Sequence, residues 1–258
     1  MSIPSAWPDG RLGAVSLTFD DGVSSQLRVA VPALNEGELH ATFYLTPQGE
    51  DWAARLAPWI EVANAGHEIG NHSLTHPCTR GFRDRLDVPC LERMTLADIE
   101  TDILEAERRL HSVIPQDGRR SFCYPCYFSY VGEGAARQSY VPVIAHHFVA
   151  GRSKGERANH PLTSDLHDLS SWPVERMSGA ELVGLAERAA AVGRWTILTF
   201  HGINQGHLAV ADVDLRELVD HLRRHRERIW TAPVATVAQQ IIDWRREIGR
   251  LEPDDRRG

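Results

Sequence analysis

The sequence predicts an α/β fold built on a mainly parallel sheet, on the strength of three observations. Apolar runs of strand length alternate along the chain with amphipathic stretches of helical spacing. Polar residues capable of chemistry fall at the carboxyl ends of five of those runs, on the face where α/β folds and barrels gather their ligands. The 258 residues contain no internal repeat and no low-complexity linker, so one domain over 1–258 is expected.

Residues 14–19 form a β-rich run that ends in Asp20 and Asp21. Residues 24–36 follow at helical spacing, with Leu27, Val31 and Leu34 on one side, and stop at Gly37. Residues 41–45 read as a strand. Residues 51–64 read as one helix with Trp52, Leu56, Trp59 and Ile60 on its apolar side and Gly66 as its C-cap. His72 follows the run 67–70. Residues 95–113 form a long helix, opened by Thr95 and Asp98 as a capping box and closed before Pro115. Residues 121–125 read as a strand, 140–146 as the end of a helix, and 148–151 as a strand followed by Arg152. Ser178 and Glu181 make a second capping box. The apolar strand 195–200 ends at His201, the charged helix 212–226 follows, and 229–231 is a last short strand.

The composition is ordinary for a globular protein, 42% hydrophobic and 24% charged. A chain this long buries a sizeable core without cross-links, which leaves any metal free for chemistry. The net charge of −7 argues against nucleic acid as a partner. No apolar stretch of about 18 residues predicts a membrane span. The first five residues carry neither a basic nor an apolar leader region, so a cytoplasmic location is expected. The four cysteines are too few and scattered for a disulfide scaffold; Cys123 and Cys126, though spaced CxxC, lack a second pair to complete a zinc set and are expected to be structural thiols.

The strongest chemical signal is the order Asp20-Asp21-Gly22, His72-Ser-Leu-Thr-His76, His201-Gly202. Two imidazoles four residues apart can face one metal, and a carboxylate completes a three-ligand set that leaves room for water and substrate. Taken singly each piece has a bland reading: an HxxxH is usually a surface or core pair, and Asp20-Asp21 would also cap the helix at Ser24. Their joint placement at strand ends gives the pattern its weight.

Ser16-Leu-Thr-Phe-Asp-Asp-Gly22, His40-Ala-Thr-Phe-Tyr-Leu45, Gly66-His-Glu-Ile-Gly-Asn-His-Ser-Leu-Thr-His-Pro77 and Ile197-Leu-Thr-Phe-His201 resemble the polysaccharide deacetylase (NodB-like) family. The resemblance runs over about 14–238. It implies a distorted (β/α) barrel of seven or eight strands and hydrolysis of an acetyl group from a sugar. It also implies Asp20 as general base, Asp21, His72 and His76 as ligands of one divalent metal, and His201 as general acid. Two histidines and a carboxylate suit Zn²⁺, and Co²⁺, Ni²⁺ and Mn²⁺ tolerate the same set. His40 and His67 read as structural, and Asn71 as orienting the ligand loop rather than touching substrate.

The sequence departs from the family where many members carry Arg-Pro-Pro-Tyr-Gly. Here the strand end reads Cys123-Tyr-Pro-Cys-Tyr127, without the arginine that would orient the catalytic Asp. A backbone N–H near Cys126 still suits an oxyanion hole, with Tyr127 beside it. Arg152 stands where typical members place an Asp; it either supplies the missing charge by pairing with Asp20 or is a solvated residue of the loop 151–155. Asp168 and Trp172 are the nearest match to a later Asp-Trp segment: Asp168 as partner of His201, Trp172 stacked on a sugar or else in the core. His207 reads as a surface histidine or part of a closing loop. The expected substrate is an acetylated sugar or oligosaccharide, N- or O-linked. A cyclic amide, as in the allantoinase-like branch, is the alternative, and a sugar-binding module with a degenerate site is a third class.

Overall fold

The computed structural model describes residues 4–82 and 90–251; the first three residues of the amino terminus read above lie outside them. Strand β1 (Gly13–Asp20) is buried along its whole length, because helices cover one of its faces and the barrel interior the other. A π-helical turn, Gln26–Ala30, runs into α1 (Val31–Glu36), and β2 (Thr42–Leu45) follows. The expected single helix over 51–64 is two, α2 (Trp52–Leu56) and α3 (Trp59–Asn64). Pro58 lies between them and has no N–H to continue the ladder.

After β3 (Glu68–Asn71) the chain reaches α4 (Leu96–Val113), whose Thr95–Asp98 capping box is formed in both directions. Strand β4 (Ser121–Cys123) is shorter than the run 121–125, because the chain turns at Tyr124. A hairpin of two short strands, β5 (Tyr130–Val131) and β6 (Gln138–Ser139), leads to α5 (Val141–His147). Arg152 lies within β7 (Ala150–Arg152) rather than after it. Then come β8 (Trp172–Pro173), α6 (Gly179–Ala191) with the Ser178–Glu181 capping box, β9 (Trp195–Phe200), α7 (Asp212–Arg224), β10 (Ile229–Thr231) and α8 (Val234–Leu251).

The sheet order is β7-β4-β3-β2-β1-β9-β8, with β10 also on β1, and every pairing in this sheet is parallel. The seven strands of the continuous path curl into a half-barrel wrapped by helices, the distorted (β/α) barrel that the sequence predicts. One edge of β1 carries β9 over Ala14–Phe19. The other carries β10 at Gly13–Val15 and β2 at Thr18–Asp20. The joint between β3 and β4 is thin, a single register pair of Asn71 with Phe122. Phe43, Phe19 and Phe200 stack in a row, 5.0 Å between neighbouring rings, and each fully buried ring contributes roughly 1.5–3 kcal/mol. This apolar floor puts the strand ends that carry Asp20 and His201 side by side.

His67 is structural, as expected. Its Nδ1 accepts a hydrogen bond from the Ala41 N–H at 3.1 Å and its Nε2 lies 3.0 Å from Asn35 Oδ1. An accepting Nδ1 must be bare, so the ring is neutral with its proton on Nε2. Burial, helped by the neighbouring His40, holds its pKa down from 6.5 to about 4. Between those values the unfolded chain binds the proton and the folded one resists it, so stability is complete above 6.5 and is lost as pH falls toward 4. The metal-free protein should therefore show urea midpoints that drop across this window, and His67→Gln should weaken the dependence. Midpoints that stay flat would contradict the assignment.

Candidate active site

The two adjacent acids leave the end of β1 in different directions. The Asp20 side chain is 4% exposed and that of Asp21 45% exposed. Asp21 and Gly22 have φ of 71° and 62°, a left-handed turn that Gly22 adopts without penalty and in which a Cβ would press on Leu45 at 3.0 Å.

Asp21 Oδ1 stands 3.6 Å from His72 Nε2 and 3.6 Å from His76 Nε2, and the two imidazole nitrogens are 3.1 Å apart. Ligands about 2.1 Å from a tetrahedral centre stand about 3.4 Å from one another, so the triangle has the dimensions of one metal site. The donor chemistry fits as well. His72 Nδ1 faces the Cys123 carbonyl at 2.9 Å and must donate to it, because a carbonyl only accepts. Burial keeps the His72 pKa near 4, so the ring is neutral and Nε2 offers a bare lone pair toward His76 and Asp21.

The loop that carries both histidines is held from beneath. Asn71 Oδ1 accepts from the Ser73 N–H at 2.8 Å, and its Nδ2 donates to the Ile103 carbonyl and to Glu107. Asp102, on α4, accepts from Leu74 N, Thr75 N and Thr75 Oγ1, the last at 2.6 Å. The His76 N–H donates to Ser73 Oγ. Ser73 and His76 are left-handed, with φ of 63° and 52°, and these hydrogen bonds offset the strain such backbones carry.

Asp20 is not a member of the metal triangle. Arg152 Nη2 lies 2.6 Å from its Oδ1 and 2.5 Å from its Oδ2, and both side chains are buried. The same guanidinium donates through Nη1 to Thr199 Oγ1 at 2.9 Å and touches Cys123 Sγ. Burial alone would raise the Asp20 pKa. Arg152 outweighs it, helped by His201 and His72, and the carboxyl is held below its usual value. The Cys123 thiol is pushed well up by burial and stays protonated.

His201 closes the group, with Nε2 3.8 Å from Asp20 Oδ2 and 3.8 Å from Asp21 Oδ2. Gln26, on the π-helical turn, donates from Nε2 to the Asp20 carbonyl at 2.6 Å and to the His201 carbonyl at 2.9 Å, which ties the ends of β1 and β9 together. Asp20, Asp21, His72, His76, Tyr127 and His201 all open on one cavity of about 290 Å³, as do Cys126 and His207. A larger open groove of about 930 Å³ lies at the opposite ends of the strands. Its buried carboxylate, Glu68, is committed to hydrogen bonds from Thr42, Ser121 and Ala235, so it carries no comparable chemistry.

Other expectations are revised. Asp168 forms no bond to His201: the residue as a whole is exposed, while its carboxyl is partly withdrawn from water, which together with Asp165 raises its pKa, and it bonds Ser153. His201 Nδ1 has no hydrogen-bond partner among the described residues. Trp172 pairs with Leu198 and packs on the main core rather than lining the cleft. His207 is exposed but sits edge-on to His201, ring centroids 5.4 Å apart. Cys126 is not a thiol: it is bonded to Cys78, with Cα atoms 5.7 Å apart, while Cys90 and Cys123 are free. The partner of Cys126 is 48 residues away because the loop after β4 folds over the loop after β3. Gln26, Asp102 and Cys78 thus join the site without a sequence signal of their own.

Asp102 acts on the metal triangle only through the loop. Asp102→Ala should weaken metal affinity by about 10–100-fold, the usual effect of losing such a support. Metal titration of the variant checks this, and unchanged affinity would remove Asp102 from the site.

Residues 9–130, which include Asp20, Asp21, His72 and His76, match the family model of polysaccharide deacetylase. No functionally curated protein matches the sequence. The fold is similar to that of a candidate polysaccharide deacetylase from Mycobacterium smegmatis (TM-score 0.65, 16% identity, 94% of each chain). It is also similar to peptidoglycan deacetylase PdaC from Bacillus subtilis (0.55, 18%, 95% of this chain and 98% of that one). A CE4 family pseudoenzyme from Bacillus anthracis shares the fold at 0.53 and 14% identity, over 90% of this chain and 67% of the other. Active and inactive proteins therefore share this architecture, and the decision falls to the residues in the cleft.

Proposed function

We propose that this chain is a metal-dependent carbohydrate deacetylase of the polysaccharide deacetylase family, which hydrolyses an N- or O-linked acetyl group. The observation that carries the reading is the division of labour at the end of β1: Asp21 faces the Nε2 atoms of two imidazoles, while Asp20 is bound to an arginine beside them. A sugar-binding module needs no such separation.

Asp21, His72 and His76 are the residues that would hold the ion, with Zn²⁺ first and Co²⁺, Ni²⁺ or Mn²⁺ compatible. A divalent ion there supplies Lewis acidity to the acetyl carbonyl and to the attacking water. Asp20, ionised by Arg152, takes the proton of that water as general base. Cys126 lines the cavity and no hydrogen bond from its N–H occurs among the described residues, which leaves that N–H to stabilise the oxygen on which charge develops. His201, 3.8 Å from the base, gives a proton to the departing amine or alcohol. Arg152 is a positioning residue: its Nη2 donates to both oxygens of the Asp20 carboxylate and keeps it charged, while Nη1 is anchored on Thr199.

Acetate release from a panel of acetylated sugars, with allantoin and succinimide alongside, tests the reaction class. Release from the sugars alone is expected; turnover of the cyclic amides alone would transfer the chain to that chemistry, and bound metal without hydrolysis would make it a binding module. Arg152→Ala should retain metal yet lose roughly 10²-fold or more in kcat, and Arg152→Lys should recover part of it. Without the guanidinium, burial is less opposed and the Asp20 pKa rises, so the acidic limb of kcat/KM should move to higher pH. Near-normal turnover with an unmoved limb would end the positioning role.

A further inference from the structure

The Cys78–Cys126 disulfide lies directly on the cleft and takes no part in the chemistry described. Cys78 is two residues beyond His76, with its Sγ 3.7 Å from His76 Nδ1. Cys126 lines the cavity from the turn after β4, and its N–H is the donor proposed above for the acyl oxygen. Cys126 and Tyr127 are consecutive left-handed residues without being glycine, φ 52° and 65°, a backbone that persists only where its surroundings impose it. The two loops extend from β3 and β4, whose joint is the single pair Asn71–Phe122. Above that pair, the hydrogen bond of His72 Nδ1 to the Cys123 carbonyl and this disulfide tie the loops together.

We propose, building on the deacetylase reading, that the Cys78–Cys126 disulfide positions the active site by clamping the loop of His76 to the loop of the Cys126 N–H. The separation of metal ligand and oxyanion donor is then set by a covalent bond rather than by the sheet. Opening it frees the Cys126 turn from its left-handed conformation and releases the flank of His76. A shift of about 1 Å in a reacting geometry is enough to cost about 10²-fold in rate. Disulfides persist in oxidising compartments and are opened in a reducing cytoplasm, so the clamp would also make activity dependent on the thiol balance. The S–S bond breaks by thiolate attack on Cys126, the half-buried partner. An external dithiol gives up two electrons and two protons, closes to its own disulfide and leaves two protein thiols.

The test reduces the intact protein with a phosphine, which takes oxygen from water to become its oxide while both cysteines gain S–H. Four readouts are compared before and after: metal-free hydrogen exchange, the visible spectrum of the Co²⁺-loaded protein, kcat and KM. Expected are faster exchange confined to 73–78 and 124–128, a shifted Co²⁺ band, and a fall in kcat of about 10-fold or more with KM little changed and full recovery on reoxidation. The double variant C78S/C126S should start at the reduced values and ignore the phosphine, and Cys90→Ser should behave as wild type. Unchanged exchange, an unchanged Co²⁺ band, or full kcat after reduction would each overturn the clamp. If the oxidised protein hydrolyses nothing, the deacetylase reading fails, and exchange and the Co²⁺ band still decide the clamp.

Discussion

A buried carboxylate and a buried guanidinium, Asp20 and Arg152, hold this structure and its cleft in one arrangement. Neither charge is tolerable alone in the barrel interior, and removing one partner of such a pair typically costs about 3–5 kcal/mol. The pair spans the half-barrel. Arg152 reaches from β7, at one end of the sheet, to Asp20 on the central β1 and to Thr199 on β9. The backbone of Arg152 also bridges to Leu169, and its guanidinium contacts Ser171, just before β8. A contact that draws the two ends of an open sheet together thus also fixes the orientation of one carboxylate at the floor of the cleft.

From that constraint the rest of the cleft follows. Because Asp20 is bound by the arginine, its neighbour is the acid left to face the histidines, and the left-handed turn at Asp21 swings it there. Gln26 bonds the carbonyls of Asp20 and His201, so the paired acid and the last histidine move as one unit. Beneath the histidines, Asn71 and Asp102 absorb the N–H groups of a loop that makes few ladder bonds of its own. The protein relies on side-chain hydrogen bonds in the places where its short strands leave the backbone unpaired.

Much of this was legible in the sequence, for physical reasons that differ by element. The strands around Val15 and Ile197 are buried on both faces, with small polar residues such as Ser16, Thr18 and Thr199 among the apolar ones, and a short, mainly apolar run that ends in charged or imidazole side chains shows that directly. The capping boxes at Thr95 and Ser178 are local, so the residues that form them are three apart and readable. Asp20, Asp21, His72, His76 and His201 stand out because ligand chemistry concentrates at strand ends. What stayed hidden depends on which strands become neighbours. The partner of Cys126 is 48 residues away, and only the folding of one loop over another brings Cys78 to it. Asp102 sits inside an amphipathic helix and reads as one more polar position until the histidine loop is laid against it. Gln26 lacks any motif. The choice between sugar and core for Trp172, and the pairing of Asp168 with His201, could not be decided from a short dipeptide pattern without knowing that Trp172 pairs with β9 and packs on the core.

The central claim is that one ion is bound by Asp21, His72 and His76 while Asp20 stays on Arg152. Crystals of the zinc-loaded protein, with anomalous scattering recorded at the zinc edge, test it most directly. One strong peak within bonding distance of one carboxylate and two imidazole nitrogens, with the Asp20 carboxylate still against the guanidinium, is the predicted result. A peak at the surface group of Glu187, His221 and His225 instead, or an ion that pulls Asp20 away from Arg152, would contradict the account.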